Sequence, residues 1–283
     1  MTSAAQDGVG VSAISPEERG LVQTLREKFP AGTPSYGLLL DDALFCRYLR
    51  ARSGNIDKAT AMLTATLGWR REFGLPEVLS KDIGVIRKEN STSKMYTSGF
   101  DKQGRPILVM RPRNENTHDF DGNMVHLVYQ LERARAILQK STGGLGKLCV
   151  VIDYVGFTLR NAPTMRVSMA TLDIVQNHYP ETLGQAFFVS PPFVFRGFWK
   201  VLYPFIDKDT KEKFCFVSGS AESQAAQAIL SKNFDEDELE EAFGGKYTTK
   251  FDTSVFLGSP MDQDFREAMA KCLAGQPADS NPK

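Results

Sequence analysis

Leu148-Cys149-Val150-Val151-Ile152 is an uninterrupted apolar run of strand length, closed by Asp153 and preceded by Gly143-Gly144-Leu145-Gly146-Lys147. Alternation of apolar and polar residues would mark a strand with one wet face. A continuous run marks a strand covered on both faces, as in a parallel sheet. Parallel neighbours need crossover helices, and the flanking sequence supplies them. Upstream, Asn123 to Lys140 sets Met124, Leu127, Val128, Leu131, Ala134 and Leu138 on one helical stripe. Downstream, Ala162 to His178 reads as a second helix, stopped by Pro180. Ala186 to Val189 and Phe214 to Val217 are further apolar runs of strand length. Met95 to Gly99 and Ile107 to Met110 flank Asp101-Lys102-Gln103-Gly104-Arg105-Pro106, a turn of hairpin length. Helices alternating with such strands predict an α/β fold, with helices packed against a sheet.

Ahead of the sheet the text reads as a small helical bundle. Ser15-Pro16-Glu17-Glu18 places a cap residue, a first-turn proline and two acids at a helix start, with Leu21, Leu25 and Phe29 on one face. Asp41-Asp42 opens a second helix, apolar at Ala43, Leu44, Tyr48 and Leu49 and basic at Arg47, Arg50 and Arg52, which Gly54-Asn55 ends. Ile56 to Phe73 is the third. The expected organisation is a disordered tail over 1–14, a helical domain over 15–80, the α/β domain over 90–250 and an extension over 251–283. The acidic run Asp235 to Glu241 is expected to start a solvated helix, and Asp262 to Leu273 to form a surface one.

Composition narrows the function. Hydrophobic residues at 42% and charged residues at 24% describe a globular chain. Lys+Arg and Asp+Glu are both 34, which argues against the basic excess of a nucleic-acid binder. Cys46, Cys149, Cys215 and Cys272 lie far apart, the pattern of reduced thiols in the cytosol. Met1 to Gly10 does not read as a signal peptide, and no apolar stretch reaches the ~20 residues of a membrane span. His118, His126 and His178 have no zinc-ligand spacing. Gly143 to Lys147 fails as a phosphate loop, because Leu148 stands where a hydroxyl is required and the glycines precede a strand. No Gly-x-Ser-x-Gly elbow occurs. A non-enzymatic protein without a cofactor is expected.

One segment is unusual. Phe193 to Ile206 reads Phe-Val-Phe-Arg-Gly-Phe-Trp-Lys-Val-Leu-Tyr-Pro-Phe-Ile, with Arg196 and Lys200 its only charges. A helix apolar almost all round is buried or faces something oily. At this length it is too short to span a bilayer. It reads either as a core helix or as a lid over an apolar ligand, with Phe193, Phe195, Phe198, Trp199, Leu202 and Tyr203 as its working residues. Pro191-Pro192 and Pro204 stiffen its two joints.

Phe45-Cys-Arg-Tyr-Leu-Arg-Ala-Arg52, Asp101-Lys-Gln-Gly-Arg-Pro106, Val151-Ile-Asp-Tyr-Val-Gly156, His178-Tyr-Pro-Glu181, Tyr203-Pro-Phe-Ile-Asp207 and Phe243-Gly-Gly-Lys246 occur in that order. Together, over residues 15 to 250, they resemble the CRAL-TRIO lipid-binding family with its N-terminal helical domain, and most of all the fungal-type phosphatidylinositol transfer proteins. The resemblance implies a mixed sheet flooring an apolar pocket, closed by a mobile gate helix. It implies lipid exchange at membrane surfaces by a monomer that is cytoplasmic and transiently peripheral. By motif position it implies headgroup contacts from Glu181, Thr210, Lys213 and Arg52. A phospholipid is then the ligand, with a second lipid in exchange. Relatives carry a basic residue at Ser53, and hydroxyls for phosphatidylcholine at Leu148 and Val150, so choline-lipid binding is not expected here. A sterol, fatty acid or isoprenoid is the alternative cargo. Haem is another, with Tyr154, Tyr179 or His178 as ligands, and a non-exchanging scaffold of the same fold is a third reading.

Overall fold

The structure, a computed structural model, describes residues 13–81, 83–219, 223–248 and 250–274, and of Phe198 only the backbone. The tail over 1–14 and the extension over 251–283 therefore lie partly outside the described residues.

Three capped helices come first. In α1 (Pro16–Glu27) Ser15 and Glu18 form a reciprocal capping box. Asp41 caps α2 (Asp42–Arg50), and Asn55 caps α3 (Ile56–Phe73). Their apolar faces close on one another around Leu25, Phe45, Leu49 and Leu63. Two short helices, α4 (Glu77–Ser80) and α5 (Gly84–Asn90), lead to the sheet.

β1 (Met95–Phe100) and β2 (Pro106–Met110) form the antiparallel hairpin. Asp101 fixes its turn by accepting the N–H of Gln103 and of Arg105, each at 2.9 Å. α6 (Phe120–Thr142) crosses to β3 (Leu148–Asp153), α7 (Met165–His178) to β4 (Leu183–Val189), and α8 (Phe195–Leu202) with α9 (Lys208–Glu212) to β5 (Phe214–Val217). The sheet runs β1-β2-β3-β4-β5, parallel from β2 onward. Register aligns Leu108, Val150, Ala186 and Phe214 on one face and Val109, Val151, Phe187 and Cys215 on the other. The second face packs on α10 (Gln224–Asn233) and the residue after it, with Phe187 and Phe234 ring to ring at 5.1 Å. On the first, α6 lies over β1 and β2, and α8 lies over β4 and β5. The chain closes with α11 (Thr253–Gly258) and α12 (Pro260–Ala274). No helix among the described residues is long and apolar enough to cross a membrane.

Three expectations need correction. Asp235 to Glu241 forms turns and one 3-10 turn at Glu241–Phe243, not an α-helix start. Leu239 and Phe243 are buried there, and Glu240 accepts from Tyr96 Oη (2.6 Å) and pairs with Arg111, which pins the chain in a non-helical path. The C-terminal helix is not merely superficial, since Phe265 and Met269 are buried and its Asp262 is fully enclosed. The apolar segment is helical only over Phe195–Leu202; Pro204 sits in a 3-10 turn, Tyr203–Phe205, and Phe193 precedes the helix.

A buried ion pair ties the bundle to the sheet unit. Arg70 of α3 donates twice to Glu132 of α6, at 2.7 and 3.2 Å, and Tyr179 donates to the same carboxylate at 2.8 Å. Burial works to raise the Glu132 carboxyl, but the charges of Arg135 and Arg70 and these hydrogen bonds bring it to about 2. Its contribution to stability is present above the ordinary 4.5 and is lost as pH falls through about 2. Glu132→Gln strands the Arg70 charge and should cost about 3–5 kcal/mol. Urea denaturation checks this: the midpoint should fall with an unchanged slope, and an unchanged midpoint would contradict it.

Candidate functional site

The half of the sheet face that α6 leaves open is floored by Ala186, Phe188, Phe214, Val150 and Ile152. Phe188 is its centre. Its ring lies 5.7 Å from Phe195, 5.4 Å from Trp199, 5.4 Å from Phe214 and 4.9 Å from Phe216. Trp199 is also 5.2 Å from Phe214, and Phe195 is 5.0 Å from Tyr154. Phe195 and Leu202 are buried, while Phe193 (81% exposed), Val201, Tyr203 and Phe205 face solvent. The inner side of α8 is thus aromatic, while its outer side carries Arg196, Lys200 and Val201, with Phe193, Tyr203 and Phe205 exposed just beyond its ends. Ring packing holds the inner side, at about 0.5–1.5 kcal/mol per pair beyond area burial. The side chain of Phe198 lies outside the described residues.

Charged residues gather at the other end of the same strands. Lys147 immediately precedes β3, Lys213 immediately precedes β5, and Glu181 lies two residues before β4. Parallel neighbours bring the three to one edge. Lys147 donates to Glu181 Oε2 at 3.0 Å. Burial works to raise the Glu181 carboxyl, but the bond and charge of Lys147, then the charges of Lys213 and Arg47, leave it below its ordinary value. Thr210 donates its N–H at 2.8 Å to Asp207, the cap of α9, and the charge of Lys213 helps to lower that carboxyl. Arg47 is the support. Its guanidinium donates to the carbonyls of Gly144 (2.7 Å), Glu181 (2.6 Å) and Gly146, so α2 holds both loops that carry the charges. Burial pulls its pKa down only to about 10, so it remains a cation at neutral pH. Glu181 itself has φ 56°, a left-handed conformation that a non-glycine residue adopts only when its surroundings hold it there.

Sequence reasoning places Glu181, Thr210 and Lys213 in one site; in the fold Glu181 and Lys213 share one strand edge, where the charge of Lys213 acts on the Glu181 carboxyl, while the side-chain partner of Thr210 is the local cap Asp207. Arg52 stands apart: its guanidinium donates to the Ala51 carbonyl, and among the described residues no hydrogen bond or ion pair joins it to Glu181. Lys147 and Arg47 are the residues the sequence reading passed over. The signal for Lys147 was its position, directly before a buried strand, as for Lys213. The three residues considered for haem all have protein partners. His178 stacks on Trp69 at 4.3 Å with Thr66 Oγ1 at 3.2 Å from Nδ1, Tyr179 is bound to Glu132, and Tyr154 packs against Phe157 and Phe195.

A family model of the CRAL/TRIO domain matches residues 90–245, and one of the CRAL/TRIO N-terminal domain matches residues 21–65. The chain belongs to the CRAL/TRIO domain family. It is 34% identical over 199 residues to a CRAL-TRIO domain-containing protein of Schizosaccharomyces pombe, covering 70% of this chain and 18% of that one. It is 34% identical over 183 residues to the phosphatidylinositol transfer protein PDR17 of Saccharomyces cerevisiae, covering 61% of this chain and 51% of that one. The chain therefore spans about half or less of the length of these curated relatives. The crystal structure of Sfh5 superposes with a TM-score of 0.71 at 17% identity, over 93% of this chain and 99% of that one, and shares the fold.

Lys147 has a direct consequence for Glu181. In Lys147→Met, burial acts against a weakened counter-charge, so the Glu181 carboxyl should titrate at higher pH than in the wild type. The stability that Glu181 contributes above its ordinary 4.5 is then smaller, and its loss on acidification is complete at a higher pH. Carboxyl-detected NMR titration reads this, and an unmoved Glu181 midpoint would remove Lys147 from the site.

Proposed function

We propose that this protein binds phosphatidylinositol and transfers or presents it at membrane surfaces, with α8 as the gate. The observation that carries the reading is the pairing of an apolar half-sheet, covered only by a ring-packed helix, with a cation-rich cluster at the strand edge. Two acyl chains hold roughly 30 methylenes, and at ~0.8 kcal/mol each their exposure to water would cost about 25 kcal/mol. A carrier therefore works by exchanging one apolar environment for another. That requires a cover that moves, not one bonded in place.

In this reading Lys147, Lys213 and Thr210 donate to the lipid phosphate, with Arg52 joining only when it turns from the Ala51 carbonyl, and Glu181 accepts from inositol hydroxyls while holding Lys147 in place. The likeness to PDR17, by its name a phosphatidylinositol transfer protein, supports the same cargo. Residues 15–80 serve as the helical domain and 90–250 as the lipid-binding domain. The protein acts without catalysis, as a cytoplasmic monomer that meets membranes transiently. Leu148 and Val150 offer no hydroxyl to a choline-lipid phosphate, so phosphatidylcholine is a poor second lipid. A sterol or another apolar cargo is the second reading, favoured by a floor of aliphatic residues and two rings that offers apolar contact without a headgroup.

Glu181→Ala and Lys213→Ala should each lower phosphatidylinositol transfer between liposomes by at least tenfold, because unpairing a charge of such a site costs several kcal/mol of binding. Phosphatidylcholine transfer should be slow in the wild type by the same assay. Normal inositol-lipid transfer by both variants, with unchanged thermal melts, would remove the headgroup assignment.

The gate gives a second test. Trp199 packs inward, so Trp199→Asp should loosen α8 from Phe188 and Phe214, releasing bound lipid faster with a modest fall in melting temperature. Cooperative unfolding at a much lower temperature would instead mark α8 as an ordinary core helix.

A further inference from the structure

Two loops leave the same end of the sheet. The last residues paired between β3 and β4 are Asp153 and Val189, and Tyr154 donates its N–H to the Val189 carbonyl at 2.9 Å. After β3 the chain presents Val155, Leu159 (73% exposed) and Met165 to solvent. After β4 it presents Phe193 and Val194. Scattered exposed apolar residues are ordinary, but several gathered at one rim mark an interaction surface.

The charges within these two loops are one-sided; the nearest acids, Asp119 and Asp121, belong to the neighbouring segment after β2, where Arg166 lies 3.8 Å over the Phe120 ring. Between Asp153 and Asp173 the only charged residues are Arg160 and Arg166; between Glu181 and Asp207 they are Arg196 and Lys200. In a chain with 34 cations and 34 acids, both loops carry cations alone. Apolar tips among cations complement an anionic bilayer, where the tips reach the acyl boundary and the cations meet phosphates.

The two loops differ in how they are held. Arg113 donates to Asp153 Oδ2 at 2.7 Å and to the Val155 carbonyl at 2.8 Å, and its own carbonyl accepts from Asn161 at 3.2 Å. Asp153 Oδ1 also accepts the Val155 N–H at 3.0 Å. The β3 loop is therefore clamped to its strand by hydrogen bonds, whereas α8 rests on rings.

We propose that the loop from Val155 to Met165 is a fixed docking foot for anionic bilayers, which keeps the protein on the membrane while α8 lifts. The foot rests on the lipid-exchange reading above and adds to it the lipid surface on which exchange takes place. The full chain is tested by co-sedimentation with vesicles of phosphatidylcholine alone and of phosphatidylcholine with phosphatidylserine. Wild-type protein should prefer the anionic vesicles and lose that preference as salt is added. Leu159→Asp should bind them about tenfold more weakly, since it replaces one inserted apolar side chain with an acid. Arg160→Glu should lose the preference for anionic vesicles, and both variants should keep the wild-type melting temperature and bound lipid. Should Leu159→Asp melt lower, Leu159→Ser gives the same reading with a smaller change. Wild-type affinity in the Leu159 and Arg160 variants, or no vesicle binding by the wild type, overturns the foot. Vesicle binding is read whatever lipid fills the protein, so the discovery of a sterol inside would sink the phosphatidylinositol reading and leave the foot standing.

Discussion

The structure turns on an apolar surface that water cannot be left to cover. Five strands need both faces sealed, and one face is sealed in two different ways. Over β1 and β2 the seal is α6, joined to the helical bundle by the enclosed Arg70–Glu132 pair. Over β4 and β5 it is α8, whose inner side meets Phe188, Phe214 and Phe216 through rings. A buried ion pair is costly to break because it strands a charge. Ring contacts are lost gradually and can be replaced by acyl chains at little net cost. One half of the face is thereby held by an ion pair and the other by ring packing alone, the difference on which the proposed exchange depends.

The strand edge beneath that half is fixed as well. Arg47 gives its donors to three carbonyls, two in the loop before β3 and one at Glu181. The approach is close. A Cβ on Gly146 would lie 2.5 Å from Thr142 Oγ1, so any larger residue there would push that loop away from α6. Lys147 and Glu181 thus meet on loops that cannot drift apart, with Lys213 held in register because its carbonyl accepts the Ala186 N–H at 2.9 Å. Under the proposed function this cluster selects a headgroup by charge at one end of the strands, and the apolar floor takes the chains along their length.

Much of this was legible in the sequence. Leu148 to Ile152 announces a doubly covered strand, and the caps at Ser15, Asp41 and Asn55 announce helix starts, because both signals are local. The Lys147–Glu181 pair was not legible as a contact, since the two are 34 residues apart and meet only through the parallel pairing of β3 and β4. The acidic run at Asp235 misled for a related reason. Helix-start chemistry there is overridden by Tyr96 and Arg111, which reach Glu240 from more than a hundred residues away. The orientation of Trp199 also required the fold, because Arg196 and Lys200 mark the outer side of α8 but do not say which of its rings meets Phe188 and Phe214.

In the proposed function α8 gives way to an inositol phospholipid on the sheet face that its rings now cover. Native mass spectrometry of the full chain purified from cells, followed by fragmentation of the bound species, tests it most directly. The expected result is one bound lipid per chain that releases an inositol-phosphate fragment, and its loss from Lys213→Ala. A wild-type protein that retains a sterol, a fatty acid or no lipid at all would contradict it.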